Sequence, residues 1–295
     1  MHNGVIYKAL SGFYYVDCGG SSVTCRARGK FRNDGTTPCV GDRVRVTQSG
    51  EGEGTVAEIL PRKNNFIRPA VSNIDQMIII VSAVIPITDP FLIDRIALIS
   101  VLNDCEPVIC INKCDLDRAD ELYSIYEKSG FRLLRVSAKS GEGIDELRSI
   151  LKDKISVFTG NSGVGKSSIL NAISPKFDIK TGDISVKLGR GRHTTRHIEL
   201  YYIGDGAYAA DTPGYSSFDT DILNENNADA IVNAYREFDP YLGSCRFLDC
   251  RHIKEKGCAV LAAVNNGEIS SVRHENYKRL YDMAKSVKSW EIKNK

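Results

Sequence analysis

Apolar and polar positions change their rhythm twice along this chain. Up to about residue 68, short alternating runs at 4–10, 13–17, 22–29, 42–46 and 55–60 are separated by turn signals at Gly19-Gly20, Asn33-Asp34-Gly35 and Gly50-Glu51-Gly52. Such alternation between Gly-rich breaks predicts strands. Five short strands without a helical stretch suit a small barrel such as an OB-fold, or an SH3-like barrel. From residue 73 the rhythm becomes strand–helix alternation, the mark of a mainly parallel sheet. Apolar strands are predicted at 76–84, 107–111, 132–136, 155–159, 197–203 and 207–210, with helices at 91–102, 120–128, 144–151 and 168–173. The polar stretch 176–196 has no clear period, and beyond residue 218 the pattern turns helical and polar.

Composition adds little to this picture except by exclusion. Apolar residues make up 42% and charged residues 26% of 295 positions, as in ordinary soluble proteins. No apolar run approaches the ~20 residues that span a bilayer, and Met1-His2-Asn3-Gly4 does not begin a secretory signal. A cytoplasmic protein that does not enter a membrane is expected. The net charge of +2 is unevenly spread: residues 1–68 carry 10 Lys/Arg against 6 Asp/Glu, and residues 271–295 carry 7 against 3. Basic ends around an acidic centre suggest a polyanionic partner. Nine cysteines, an odd number, argue against a disulfide framework. Cys105, Cys110 and Cys114 fall in or beside a predicted buried strand, where Cys acts as a small hydrophobe.

Candidate chemistry sits at the carboxyl ends of the predicted strands, where open α/β sheets bind ligands. Gly160-Asn161-Ser162-Gly163-Val164-Gly165-Lys166-Ser167, followed by Ser168, reads as a phosphate-binding loop between a strand and a helix. Its glycines let successive N–H groups face phosphate oxygens. Lys166 would reach the β- and γ-phosphates, and Ser167 would hold Mg²⁺. Asn112-Lys113-Cys114-Asp115 reads as a guanine-specificity loop. The Asp115 carboxylate can accept from both N1–H and the exocyclic amine of guanine; adenine lacks that donor pair and would leave the carboxylate unpaired. Ser137-Ala138-Lys139 ends the next strand, and Asp211-Thr212-Pro213-Gly214 ends the last. Asp211 would act through Mg²⁺ or its water, with the Gly214 N–H near the γ-phosphate. The guanine loop precedes the phosphate loop by some 45 residues, the reverse of the usual order.

Further on, Cys245, Cys250, His252 and Cys258 supply three thiolates and one imidazole within 14 residues. The set matches a closed Cys₃His zinc site, the alternative being free thiols buried beside a polar helix. His274 lies too far along to be needed.

The motif order, with the run Gly189-Arg190-Gly191-Arg192-His193-Thr194-Thr195 resembling a first switch, is similar to circularly permuted GTPases of the ribosome small subunit-dependent GTPase A (RsgA) family. The resemblance covers essentially the whole chain. It implies an OB-fold at 1–68, an α/β permuted P-loop GTPase at 73–218 and a mainly helical zinc domain at 219–295. It also implies GTP/GDP and Mg²⁺ as ligands, one structural Zn²⁺ on the four late ligands, and a role in late maturation of the small (30S) ribosomal subunit through contact with its rRNA. A monomer is expected. Tyr215 stands where Ras-like enzymes place a water-orienting Gln. His193 is the nearest substitute, able to accept a proton from water or orient it; otherwise it is a solvated side chain touching RNA. Thr194 or Thr195 would complete Mg²⁺ coordination, and Arg190 and Arg192 would meet rRNA phosphates or the transition state. A different reading is an RNA-binding assembly factor in which GTP is only a conformational ligand. A kinase or ATPase is disfavoured by Asp115. Because the chain leaves the nucleotide site after Asp211–Gly214, the tail is expected to respond to the γ-phosphate as a short covalent lever.

Overall fold

In the first unit, alternation dictates a barrel. The computed structural model describes residues 1–29, 31, 36–67, 69–174, 177, 198–212, 223–224 and 227–287. Strands β1 (His2–Leu10), β2 (Phe13–Asp17), β3 (Ser22–Ala27), β4 (Arg43–Gly50) and β5 (Glu53–Ile59) close in the order β1-β2-β3-β5-β4. β3 and β5 run parallel and β1 closes on β4 antiparallel, the five-stranded connectivity of an OB-fold. Val44 and Val46 point inward with Ile6, Val16, Val23 and Val56, while Arg43 and Arg45, which alternate with them, stay exposed. The β1–β2 turn pairs Leu10 with Phe13 across Ser11 and Gly12, both at positive φ as a type I′ turn requires. β4 and β5 run further than the pattern predicts, because polar Thr47 and Gln48 continue the ladder onto Thr55 and Gly54 beyond the apolar core.

A short hairpin absent from the sequence reading, β6 (Asn65–Phe66) and β7 (Val71–Ser72), joins barrel to sheet. Its anchor is the fully buried Asp42 carboxylate, which accepts from Arg62 Nε at 2.6 Å and from Ser72 Oγ at 2.6 Å.

Six strands form the central sheet, ordered β10 (Arg132–Arg135), β9 (Glu106–Asn112), β8 (Gln76–Ser82), β11 (Ile155–Gly160), β13 (Ala207–Asp211), β12 (Tyr201–Gly204). All pair in parallel except the β12–β13 hairpin. Every residue of β8 is buried, as a strand covered on both faces must be. Met77, Ile79 and Val81 pack with Ile93 and Ile96 of α1 (Pro90–Leu102) and with Leu122 and Tyr126 of α2 (Asp120–Tyr126). Ile78 and Ile80 face Leu147 of α3 (Ile144–Leu151) and Ile169 and Leu170 of α4 (Lys166–Ile173). α1 starts sharply, with Pro90 in its first turn and the Asp89 carboxylate accepting from Phe91 N–H at 2.9 Å. Cys105, Cys110 and Cys114 are buried free thiols of this core.

The C-terminal region comprises two 3-10 segments, Ala228–Ala234 and Arg236–Tyr241, a loop holding the late cysteines, α5 (Ala259–Asn265) and α6 (Ser271–Ser286). Its core of Tyr235, Phe238, Val260, Tyr277 and Leu280 extends onto Phe91 and Leu98 of α1. No helix among the described residues is long and apolar enough to cross a membrane.

Candidate functional site

Parallel strands bring their carboxyl ends to one edge, so loops far apart in the chain meet there. Asn112 closes β9, Ser137–Lys139 follow β10, Gly160 closes β11 and Asp211 closes β13. Asn112 ties three of these loops together. Its Nδ2 donates to the Val164 carbonyl at 2.8 Å, and its Oδ1 accepts from Ala138 N–H at 3.2 Å. Asn112 is buried, so both amide ends are held in one orientation by the fold.

Ser137 does the same for the guanine-reading carboxylate. Its Oγ donates to Asp115 Oδ1 at 2.7 Å and accepts from Ser140 N–H at 3.1 Å. Asp115 and Lys139 are exposed, whereas Ser137 beneath them is buried. Lys113 adopts positive φ and its Nζ donates to the Ile85 carbonyl at 2.8 Å. Pro86, next in that loop, stands against Gly163: a Cβ there would come 3.2 Å from the proline ring. Neither Ile85 nor Pro86 carries a sequence signal for the site.

The phosphate loop is shaped by close approach. Gly165 has φ +93, and a Cβ on it would fall 2.2 Å from Asn112 Nδ2. Asn161, Ser167 and Ser168 are half-buried around the start of α4, Ser162 and Gly163 are exposed, and Val164 is buried in the core. Lys166 is 8% exposed and its Nζ donates to Asp211 Oδ1, which brings the ends of β11 and β13 to one point. Burial pushes the Asp211 carboxyl up, against the pull of the Lys166 ammonium. Thr212 fixes the chain just after it, its Oγ1 donating to the Phe158 carbonyl at 2.9 Å. His193, Thr194, Thr195 and Gly214, along with Arg190, Arg192 and Tyr215, lie outside the described residues.

The late ligands also converge. The ligand atoms of Cys245, Cys250, His252 and Cys258 lie within 4.8 Å of one another. Cys245 Sγ is 3.5 Å from His252 Nδ1 and 3.8 Å from Cys258 Sγ, and His252 Nδ1 is 3.4 Å from Cys258 Sγ. Tetrahedral zinc at ~2.3 Å from sulfur and ~2.05 Å from nitrogen sets such atoms about 3.6–3.8 Å apart, so the set fits that ion. Backbone N–H groups of Ala259 and Leu261 point at Cys245 and Cys258 sulfurs, as thiolates require. His274 is not a ligand, yet it holds one: its Nε2 donates to the His252 carbonyl at 2.7 Å. Their separation of 22 positions along the chain hides that role from sequence inspection.

Comparison with known proteins agrees with this geometry. Residues 3–56 match the RsgA N-terminal domain and residues 59–221 the RsgA GTPase. The chain is 44% identical over 294 residues to the small ribosomal subunit biogenesis GTPase RsgA of Caldanaerobacter subterraneus subsp. tengcongensis, covering 99% of this chain and 98% of that protein. A similar likeness, 44% over 93% of this chain and 94% of the relative, holds for the protein of the same name from Moorella thermoacetica. Among solved structures, YjeQ from Thermotoga maritima superposes with a TM-score of 0.81 at 35% identity, covering 96% of this chain and 98% of that one. YloQ, described as a circularly permuted GTPase, gives 0.79 at 33% identity, covering 100% and 96%.

Proposed function

This chain belongs to the RsgA GTPase family and is a GTP hydrolase, and from that premise we propose that it serves late maturation of the small ribosomal subunit, with rRNA contact accelerating its turnover. The relatives' names support the subunit as partner. A second support is the barrel, where a cavity of about 680 Å³ opens between Ser11, Phe13, Arg26, Arg28 and Thr37. The Arg26 guanidinium lies 4.8 Å from the Phe13 ring centroid, offering charge for a phosphate beside a face for a base.

The observation that carries the nucleotide assignment is Asn112, whose two hydrogen bonds lock the guanine loop to the phosphate loop and to the Ser137–Lys139 loop. Within it, Asp115 reads guanine, Ser137 holds Asp115 in place, and Ala138 and Lys139 border the base. Residues Gly160 to Ser168 cradle the phosphates, with Lys166 on the β/γ bridge. Bound Mg²⁺ would neutralise charge developing on the β- and γ-oxygens. Ser167, Asp211 and Thr194 or Thr195 are its proposed holders, Gly214 meets the γ-phosphate, and His193 orients or deprotonates the attacking water. Cys245, Cys250, His252 and Cys258 hold a structural zinc ion, since four protein ligands leave no open position. We divide the chain into an RNA-binding barrel at 1–68, the GTPase at 73–218 and the zinc domain at 219–295, acting as a monomer in the cytoplasm.

The test is GTP hydrolysis measured with purified small subunits, large subunits and no ribosome. Acceleration by small subunits alone is expected, and His193→Ala should lose it while keeping nucleotide affinity. Equal rates in all three conditions would leave GTP as a conformational ligand only and end the proposal.

A further inference from the structure

The open edge of the central sheet carries an assignment for the barrel. β12 is the outermost strand, and an uncovered edge leaves a row of unpaired backbone groups. β1 covers the chain as it enters that strand. Leu200 N–H donates to the Tyr7 carbonyl at 2.8 Å, and Lys8 and Glu199 form an antiparallel bridge. Lys8 Nζ lies 3.0 Å from the Glu199 carboxylate. Val5, Tyr7 and Ala9 pack against the cluster containing Ile198 and Leu200. A second tie joins the same two bodies, the Tyr208 hydroxyl donating to Asp17 Oδ2 at 2.6 Å.

Register shows where this seam leads. In the β12–β13 hairpin Tyr201 stands opposite Ala209. Continued by two residues, that antiparallel register brings Glu199 level with Asp211. Asp211 is in turn level with Phe158 of β11, one strand further in. Lys8 and Glu199, bridged to each other, lie beside Asp211. Together with Tyr201 and Ile198 they line a cavity of about 160 Å³ between barrel and sheet.

We infer that β1 is a positioning element for GTP hydrolysis: Tyr7 and Lys8 fix the chain at Glu199 and Leu200, and through the hairpin they fix the end of β13 that carries Asp211. Guanine reading is remote from this seam. Its loops leave β9 and β10, at the opposite side of the sheet. Loss of the seam thus slows the chemical step and spares nucleotide affinity, a division that general destabilisation does not produce.

The experiment compares Lys8→Glu, Glu199→Lys, the double exchange, Lys8→Arg and Tyr208→Phe in the full chain. Three readouts are taken: single-turnover GTP hydrolysis, GDP affinity, and hydrogen exchange at the Leu200 amide. Each single reversal is expected to slow hydrolysis about fivefold, the upper range for a half-exposed ion pair, with GDP affinity unchanged and Leu200 exchanging faster. The double exchange and Lys8→Arg should recover most of the rate. Tyr208→Phe, which changes no charge, should slow hydrolysis about twofold through the lost Asp17 bond alone. Hydrolysis unaltered in both reversals overturns the assignment. So does a parallel fall in GDP affinity, or a double exchange as slow as its parents.

Discussion

Arg273 is the test of what holds the C-terminal region to the GTPase. Its side chain is 1% exposed, and both carboxylates it meets are buried with it. Nη1 donates to Asp94 Oδ1 of α1 at 2.5 Å, while Nε and Nη2 donate to Glu237 at 2.7 and 2.9 Å. The rings of Tyr126, Phe131 and Tyr235 surround the guanidinium within 4.5–5.4 Å. Replacing Arg273 by Met keeps much of the volume and leaves two carboxylates facing each other without a cation. Breaking a buried pair this way costs about 3–5 kcal/mol. Asn276 Nδ2 still donates to Asp94 at 2.6 Å, which places the expected loss near the lower end, about 3 kcal/mol. With urea slopes of roughly 1–3 kcal/mol per molar, the unfolding midpoint should drop by about 1–3 M. The assay is urea denaturation followed by circular dichroism, alongside hydrogen exchange along α6. A triple variant, Arg273→Met with Asp94→Leu and Glu237→Leu, should regain most of the loss, because apolar groups can replace a buried ionic cluster. A single variant as stable as the parent, or a triple no better than the single, refutes the reasoning.

Three further outcomes follow from the geometry. Gly165→Ala puts a Cβ against Asn112 Nδ2 at a backbone conformation unfavourable for alanine, so GDP affinity measured by fluorescent nucleotide should fall by more than about tenfold while the barrel's exchange pattern persists. Metal analysis should find about one zinc per chain, and Cys258→Ser should abolish it and remove exchange protection from α5 and α6, since such ions contribute folding energy directly. His274 donates to the His252 carbonyl from a buried position, and burial holds its pKa below the ordinary value near 6.5. The unfolded chain therefore takes up a proton that the folded one resists, so stability falls as pH drops from about 6.5 toward the depressed folded value. His274→Gln should flatten that part of a plot of urea midpoint against pH.

What could be read from the sequence was what lies close along the chain. The phosphate loop, the guanine loop and the late cysteines each keep their chemistry within a few residues, so the pattern alone placed them on loops that the fold then gathers. Strand β8 announced itself as an unbroken apolar run because both its faces are covered. Contacts that depend on the fold left no such trace. Lys8 and Glu199 are 191 residues apart, and Arg273 sits in a helix whose polar composition predicts exposure. Charged residues are almost never fully buried unless paired, and the pairing of Arg273 with Asp94 spans 179 residues. Polar Thr47 and Gln48 were likewise missed as strand, since their ladder partners, not an apolar core, decide their conformation.

The permuted order also takes on a different mechanical meaning. Chain connectivity suggests that the tail, which follows Asp211–Gly214, is the part a γ-phosphate signal moves. Packing opposes that simple lever. α6 and the first 3-10 segment lie on α1, and Arg273 of α6 pairs with Asp94 of α1 and Glu237 of the second 3-10 segment. α1 follows β8 in the middle of the sheet and carries no phosphate-sensing residue. To swing freely, the tail would have to expose the apolar core it shares with Phe91 and Leu98 and separate Arg273 from Asp94. Among the described residues, the barrel's contact with the GTPase beside Asp211 combines a half-exposed ion pair, a backbone hydrogen bond, a tyrosine hydroxyl and the packing of Val5, Tyr7 and Ala9 on Ile198 and Leu200. Covalent order therefore places the tail next to the switch, while packing fastens that tail to α1 and sets β1 of the barrel beside Asp211.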